Sequence, residues 1–247
     1  MKADPVTLTT LLDLQATDQV IAQLAHKRRT LPELAQIAEL QMRLKDIDGQ
    51  RVATATRVAD LERERKKADG EVELVRTRQD RDEQRLNSGA VTNPKDLESL
   101  QHELVALKRR IGVLEDAELE IMEQLEAAQS ELDELEAAVA DEKAQIAALE
   151  TARDEAFAEI DRQIVDHEAD RKDTIVLIPD DLLALYEKLR SQYGGLAAAE
   201  LKARRCEGCR LELNSADLRE LAKEAPDTVT RCPECSRILV RTATSGL

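Results

Sequence analysis

From Pro94 onward, apolar residues recur at alternating spacings of three and four. The series is Leu97, Leu100, Leu104, Leu107, Ile111, Leu114, Glu118, Ile121, Leu125, Ala128, Leu132, Leu135, Val139, Glu142, Ile146 and Leu149, interrupted only by the two glutamates. A 3.5-residue period held over this many turns marks a coiled-coil seam rather than the wider apolar face of a globular helix. Beyond Leu149 the series continues through Phe157, Ile160 and Ile164 in a changed phase, which predicts a local unwinding of the supercoil. Asn93 is placed to cap this helix, and Pro94 suits its first position. The predicted helix covers 94–173.

Upstream, residues 32–87 carry a weaker version of the pattern: Ile37, Leu40, Leu44, Ile47, Val58, Leu61, Ala68, Val72, Val75 and Leu86. Arg51, Thr54, Arg65, Gln79 and Asp82 interrupt it. Thr30 with Glu33 resembles a capping box, and Leu31-Pro32 separates this helix from an earlier one at about residues 7–29. A short turn-forming stretch, 88–93, joins the second and third helices. The first two helices together match the third in length, so the third can run back along the second and then the first. At 1.5 Å per residue the shaft would be roughly 120 Å long. An intramolecular hairpin is favoured over an intermolecular coiled coil, because the short turn places the neighbouring helix alongside.

Residues 174–195 read as a connecting segment. It holds a short helix over 180–192, with Leu182, Leu183, Leu185, Tyr186 and Leu189 on its apolar side and Gly194-Gly195 at its end. Residues 196–247 form the third region. Leu196–Arg204 reads as a strand, Ser215 as the cap of a helix over 216–224 with Leu218, Leu221 and Ala222 inward, and Arg237–Arg241 as a second strand. The fold class is therefore mainly α: a long antiparallel coiled-coil hairpin over 1–173, with a small C-terminal β module containing an inserted helix.

Composition agrees. Of 247 residues, 35% are charged and 1% aromatic, a mix that suits long helices better than a thick core. The formal net charge is −15. Residues 201–247 carry nine Lys/Arg against seven Asp/Glu, so the excess of acid lies upstream. Phosphate is repelled by such a shaft, which disfavours nucleic acid wrapping along it. The N-terminal stretch lacks a signal peptide's apolar core, and no run approaches a membrane span. The expected location is the cytoplasm, where thiols stay reduced.

That expectation shapes the reading of the four cysteines. Cys206-Glu207-Gly208-Cys209 and Cys232-Pro233-Glu234-Cys235 are separated by 22 residues. Each CxxC lets two thiolates bend round one ion, and two such knuckles complete a tetrahedron. One structural Zn²⁺ is preferred. Iron in a rubredoxin-like site uses similar spacing but lacks neighbouring aromatic residues here, and disulfides do not suit the compartment. In so small a module the metal stands in for a core, with binding contributing on the order of 10 kcal/mol to folding. The ribbon is expected to melt on metal loss without disturbing the helices.

The ribbon end, Cys232-Pro233-Glu234-Cys235-Ser236-Arg237-Ile238-Leu239, and the turn Val91-Thr92-Asn93-Pro94-Lys95-Asp96-Leu97-Glu98 onward resemble the bacterial C4-type zinc-ribbon coiled-coil hairpin family, whose members include a flagellar regulator of Helicobacter and a chlamydial relative. The order of parts agrees over nearly the whole chain. Departures fall at Ser236, where the family prefers Gly, and at Val240, where an aromatic is common. The resemblance implies a regulatory binding role, since some members bind messenger RNA and chaperone an alternative sigma factor.

Candidate partner-binding residues are Arg204, Arg205, Arg210, Arg231, Arg237 and Arg241 around the cysteines, and Asn93 and Lys95 at the hairpin turn. Ordinary solvated charge and plain chain reversal are the competing readings of the two groups. His26, His102 and His167 lack metalloprotease spacing, and no phosphate loop or nucleophile elbow occurs. The expected protein is a non-enzymatic adaptor or regulator without membrane or small-molecule substrate. A protein partner is favoured over RNA or DNA.

Overall fold

Five helices and four short strands make up the chain: α1 (Pro5–Arg29), α2 (Pro32–Asn87), α3 (Pro94–Ile175), α4 (Asp180–Gln192), β1 (Ala198–Lys202), β2 (Arg205–Cys206), α5 (Ser215–Lys223), β3 (Thr230–Arg231) and β4 (Ile238–Arg241). The computed structural model describes residues 1–247. It divides into two units, Gln36–Leu149 and the combination of Met1–Ala35 with Glu150–Leu247.

In the first unit α2 and α3 pack antiparallel. Val58 and Leu61 meet Ala128 and Leu132, and Ile37 and Leu40 meet Ile146. Ion pairs track the same register: Arg43 reaches Glu142, Arg57 reaches Glu131, Arg76 reaches Glu115 and Lys108 reaches Glu83. All sixteen predicted seam positions of α3 are buried or half-buried. The polar residues that interrupt the apolar pattern of α2 are mostly seam residues as well. Thr54 and Asp82 are buried and Arg51 and Gln79 half-buried, whereas Arg65 is exposed. Asp82 lies between Arg78 and Arg85, 4.0 and 3.7 Å away. Burial thus follows the 3.5-residue period even where the residue is polar, because helix geometry fixes which positions face the partner helix.

The second unit corrects several boundaries. The spacing of less exposed residues beyond Leu149 runs on without a skip through Arg153, Ala156, Ile160, Gln163 and His167. The apparent phase change arose because polar side chains occupy seam positions there. α1 begins at Pro5, where the Asp4 carboxylate accepts from the amides of Val6 and Thr7. Thr30 does not cap α2. Its amide bonds to the His26 and Lys27 carbonyls, and its hydroxyl donates to His26, so it closes α1 instead. Likewise Asn214, not Ser215, caps α5, accepting from the amides of Ala216 and Asp217 at 2.9 Å. Ala222, expected inward, is exposed. Asn214→Ala is expected to lower the melting temperature of the zinc-loaded protein through a loss of about 1 kcal/mol, whereas Ser215→Ala should leave it nearly unchanged.

The largest correction concerns the division of the chain. The sequence places α1 within the hairpin over 1–173, α4 in a connecting segment and the cysteines in a module of their own. Instead, Leu8, Leu11 and Leu14 of α1 share one core with Leu182, Tyr186 and Leu189 of α4 and with Ala198, Ile238 and Val240 of the sheet. The sheet order is β2-β1-β4-β3, with β1 and β4 parallel and the outer pairs antiparallel. Side chains alternate across a strand. Ala198, Ile238 and Val240 therefore face the helices, while Ala199, Leu201 and Leu239 face a second core containing Cys206, Cys232, Leu213, Leu218 and Leu221. One four-stranded sheet is the wall between a helical core and a metal-binding core.

Two polar side chains of α1 fasten this arrangement. Gln15 donates to the Gly195 carbonyl and accepts from the amides of Ala197 and Ala198, satisfying main-chain groups where β1 begins. Asp18 is almost fully buried and binds Arg171 of α3 at 2.7 Å, Arg190 of α4 at 3.0 Å and the Tyr186 hydroxyl at 2.7 Å. Glu187 pairs with both arginines. Arg28 pairs with Asp161 and lies over the Phe157 ring. With the Asp18–Arg171 pair, this shows α1 antiparallel to the end of α3.

Candidate metal centre

Both knuckles are built the same way. The amide of Arg210 donates to the Cys206 carbonyl at 2.7 Å, and that of Ser236 donates to the Cys232 carbonyl at 2.8 Å. Each turn closes with a residue in the left-handed region, Arg210 and Ser236, both at φ 62°. This explains why glycine suits position 236: a side chain there costs about 1 kcal/mol or more. Inside each turn, amides point at sulfur, those of Gly208 and Cys209 toward Cys206 and those of Glu234 and Cys235 toward Cys232.

All four Sγ atoms lie within 4.8 Å of one another, with Cys206–Cys235 and Cys209–Cys232 each at 3.9 Å. No disulfide links them. A tetrahedral ion with Zn–S bonds of about 2.3 Å separates its sulfurs by about 3.8 Å, so the set fits one such ion. Four protein thiolates would outweigh its charge, giving a net negative centre, and leave no position for water or substrate. Without metal the thiols are unequal. Burial raises the Cys206 and Cys232 thiols above the ordinary range. Burial acts the same way on Cys235, but the amide and guanidinium of Arg237, with bonds from Cys232 and Cys209, outweigh it and bring that thiol to about 7.

Gly208 has a specific reason to lack a side chain. A Cβ there would stand 2.9 Å from the Ala199 Cβ and 3.1 Å from the Arg237 Cδ. Ala199 sits on a central strand and Arg237 is held by its bond to the Leu196 carbonyl, so neither can retreat easily. Gly208→Ala is expected to destabilise the metal-bound ribbon by about 1–3 kcal/mol, read as faster zinc transfer to a chelator.

The six arginines around the metal separate into two kinds. Arg237 spans from the Leu196 carbonyl to the Tyr193 ring, 5.0 Å from its guanidinium carbon. Arg241 donates to the carbonyls of Leu221, Glu224 and Ala225, closing the C-terminal end of α5. These two are structural. Arg204, Arg205, Arg210 and Arg231 are exposed, although the Arg231 Nε binds the Ser236 carbonyl at 2.7 Å. At the hairpin turn Asn93 caps α3, its side chain accepting from the Lys95 amide at 3.1 Å, and Lys95 is exposed. Gln15 and Asp18 carried no signal in the sequence, where Asp13, Thr17 and Gln19 stand beside them as equally polar residues.

Comparison with known proteins agrees with the geometry. Residues 14–194 match the model of a CT398-like coiled coil hairpin domain, and residues 205–239 that of a C4-type zinc ribbon domain. An uncharacterized protein of Mycobacterium tuberculosis is 36% identical over 241 residues, 98% of each chain. A solved structure from Mycobacterium smegmatis superimposes with a TM-score of 0.85 at 33% identity, covering 98% of this chain and 100% of that one. CT398 from Chlamydia trachomatis shares the fold, with a TM-score of 0.68 at 19% identity over 96% of this chain and 98% of its own. Zinc is thereby preferred over iron for the four thiolates, and the chain belongs to the CT398-like coiled coil hairpin family, with a C4-type zinc ribbon at Cys206, Cys209, Cys232 and Cys235.

Proposed function

We propose that this protein is a non-enzymatic adaptor that combines a coiled-coil hairpin with a ribbon held by one structural zinc, and that it engages another protein. The observation carrying this reading is that the four sulfurs converge within 4.8 Å as a complete ligand set. A site with all four positions filled by protein has a structural rather than catalytic character. The balance toward a protein partner rests on charge. Residues 115–150 hold thirteen Asp/Glu against Lys143 alone, and such a surface repels phosphate. No helix is long and apolar enough to cross a membrane, and a cytoplasmic adaptor accords with four free thiols.

A second reading, direct contact with RNA or DNA, draws on Arg204, Arg205, Arg210 and Arg231, exposed around the metal. Cross-linking with mass spectrometry in cells separates the two. Protein cross-links without nucleic acid support the adaptor. Nucleic-acid adducts lost in Arg204→Ala/Arg205→Ala/Arg231→Ala would replace it with the second reading.

A further inference from the structure

We infer that the middle of the hairpin docks a basic amphipathic helix from the protein partner; this rests on the adaptor reading and specifies its partner. The site is a groove of about 640 Å³ whose lining includes Glu62 and Arg65 of α2 and Leu119, Met122, Glu123 and Glu126 of α3. Three observations meet there. First, the seam loosens: Arg65 is exposed at a position where the 3.5-residue period calls for a buried residue. Second, Leu119 and Met122 stand outside the seam, one helical turn apart, and are 56% and 44% exposed. Two adjacent large apolar residues on the flank of a charged helix present a ridge that a further helix can cover. Third, three glutamates line the groove beside a single arginine.

That charge selects the occupant. An apolar strip bordered by carboxylates is complementary to a helix with apolar residues at i, i+3, i+4 and i+7 and Lys or Arg on its flanks. A second copy of this chain is the poorer fit, because its own shaft is acidic and like charges would face each other across the contact. Nucleic acid is repelled for the same reason. The apolar pair supplies the affinity, and the glutamates set helix orientation and exclude acidic competitors.

The test uses two synthetic peptides of the same length, each a leucine-striped amphipathic helix, one flanked by lysine and one by glutamate. Binding to the zinc-loaded full chain is read by fluorescence anisotropy. The lysine peptide is expected to bind at least about tenfold tighter than the glutamate peptide, and Leu119→Ser/Met122→Ser is expected to weaken it about tenfold or more. Both positions are exposed, so circular dichroism of the variant should match that of the parent. Lysine-peptide binding unchanged by the double substitution would show mere attraction to an acidic shaft and overturn the proposal, as would no binding at all. Concentration-dependent dimerisation abolished by the same variant would assign the groove to a second copy. In cells, a variant that keeps every protein cross-link of the parent would sink this groove while sparing the adaptor reading. A parent that cross-links no protein would sink the adaptor reading itself.

Discussion

Cys232→Ser is expected to release the metal and to loosen α1 and α4 along with the ribbon. Cys232 is buried in the core that also holds Leu201 and Leu239. On the other face of the same strands, Ala198, Ile238 and Val240 pack against Leu11, Leu14, Leu182 and Tyr186. Metal-coupled folding of such a site contributes on the order of 10 kcal/mol, and without it the cysteine side of the sheet keeps only a small cluster around Leu201, Leu213, Leu218, Leu221 and Leu239. Once the strands yield, the helices lose the surface that buries them, at about 1.5–3 kcal/mol for each large side chain exposed. Hydrogen exchange should therefore rise in β1, β4, α5, α4 and the first half of α1, whereas amides of 36–149 should keep their protection. Elemental analysis of the variant would confirm metal loss. Unchanged protection of α1 and α4 would show the ribbon to be a detached bead, as its sequence alone suggests.

The second large effect is expected at Asp18. Asp18→Ala removes the shared acceptor of Arg171, Arg190 and Tyr186. Breaking a buried ion pair by deleting one partner typically costs 3–5 kcal/mol. Arg171 and Arg190 remain partly solvated, at 20% and 31% side-chain exposure, so about 3 kcal/mol is expected, read from chemical denaturation of the zinc-loaded protein. Asp18→Asn should cost less, since it keeps the volume and an acceptor. A shift below about 0.5 kcal/mol for Asp18→Ala would place the network among ordinary surface pairs.

The same network makes a pH prediction. Burial, and then the bond to Asp18, raise the Tyr186 hydroxyl well above its usual range. A group whose folded pKa is raised contributes stability that is complete below its unfolded value, about 10 for tyrosine. Its contribution should hold through neutral pH and fall only above about 10. Tyr186→Phe should remove that alkaline loss.

The zinc ligands were legible in the sequence because a CxxC pair encodes its own turn. Local spacing bends each pair of sulfurs round one ion, and two such pairs in one chain complete its four ligands. The α3 seam was equally legible, since helical periodicity is a local property. Arg51, Thr54, Gln79 and Asp82 misled because a residue's chemistry was read where only its position mattered. Two helix caps differ for a related reason: Thr30 closes α1 instead of opening α2, and Asn214 takes the first amides of α5 in place of Ser215, because each outcome depends on where the backbone turns.

Sequence by itself determined the helices, the hairpin and the identity of the metal ligands. Tertiary structure alone decided that α1 and α4 pack on the ribbon's sheet, that Arg237 and Arg241 hold main-chain carbonyls, and that Asp18 joins three helices. Those outcomes depend on contacts between residues far apart in the chain, such as Gln15 with Ala197. No periodicity or spacing records such contacts, because burial against a distant element is fixed only when the whole chain has packed.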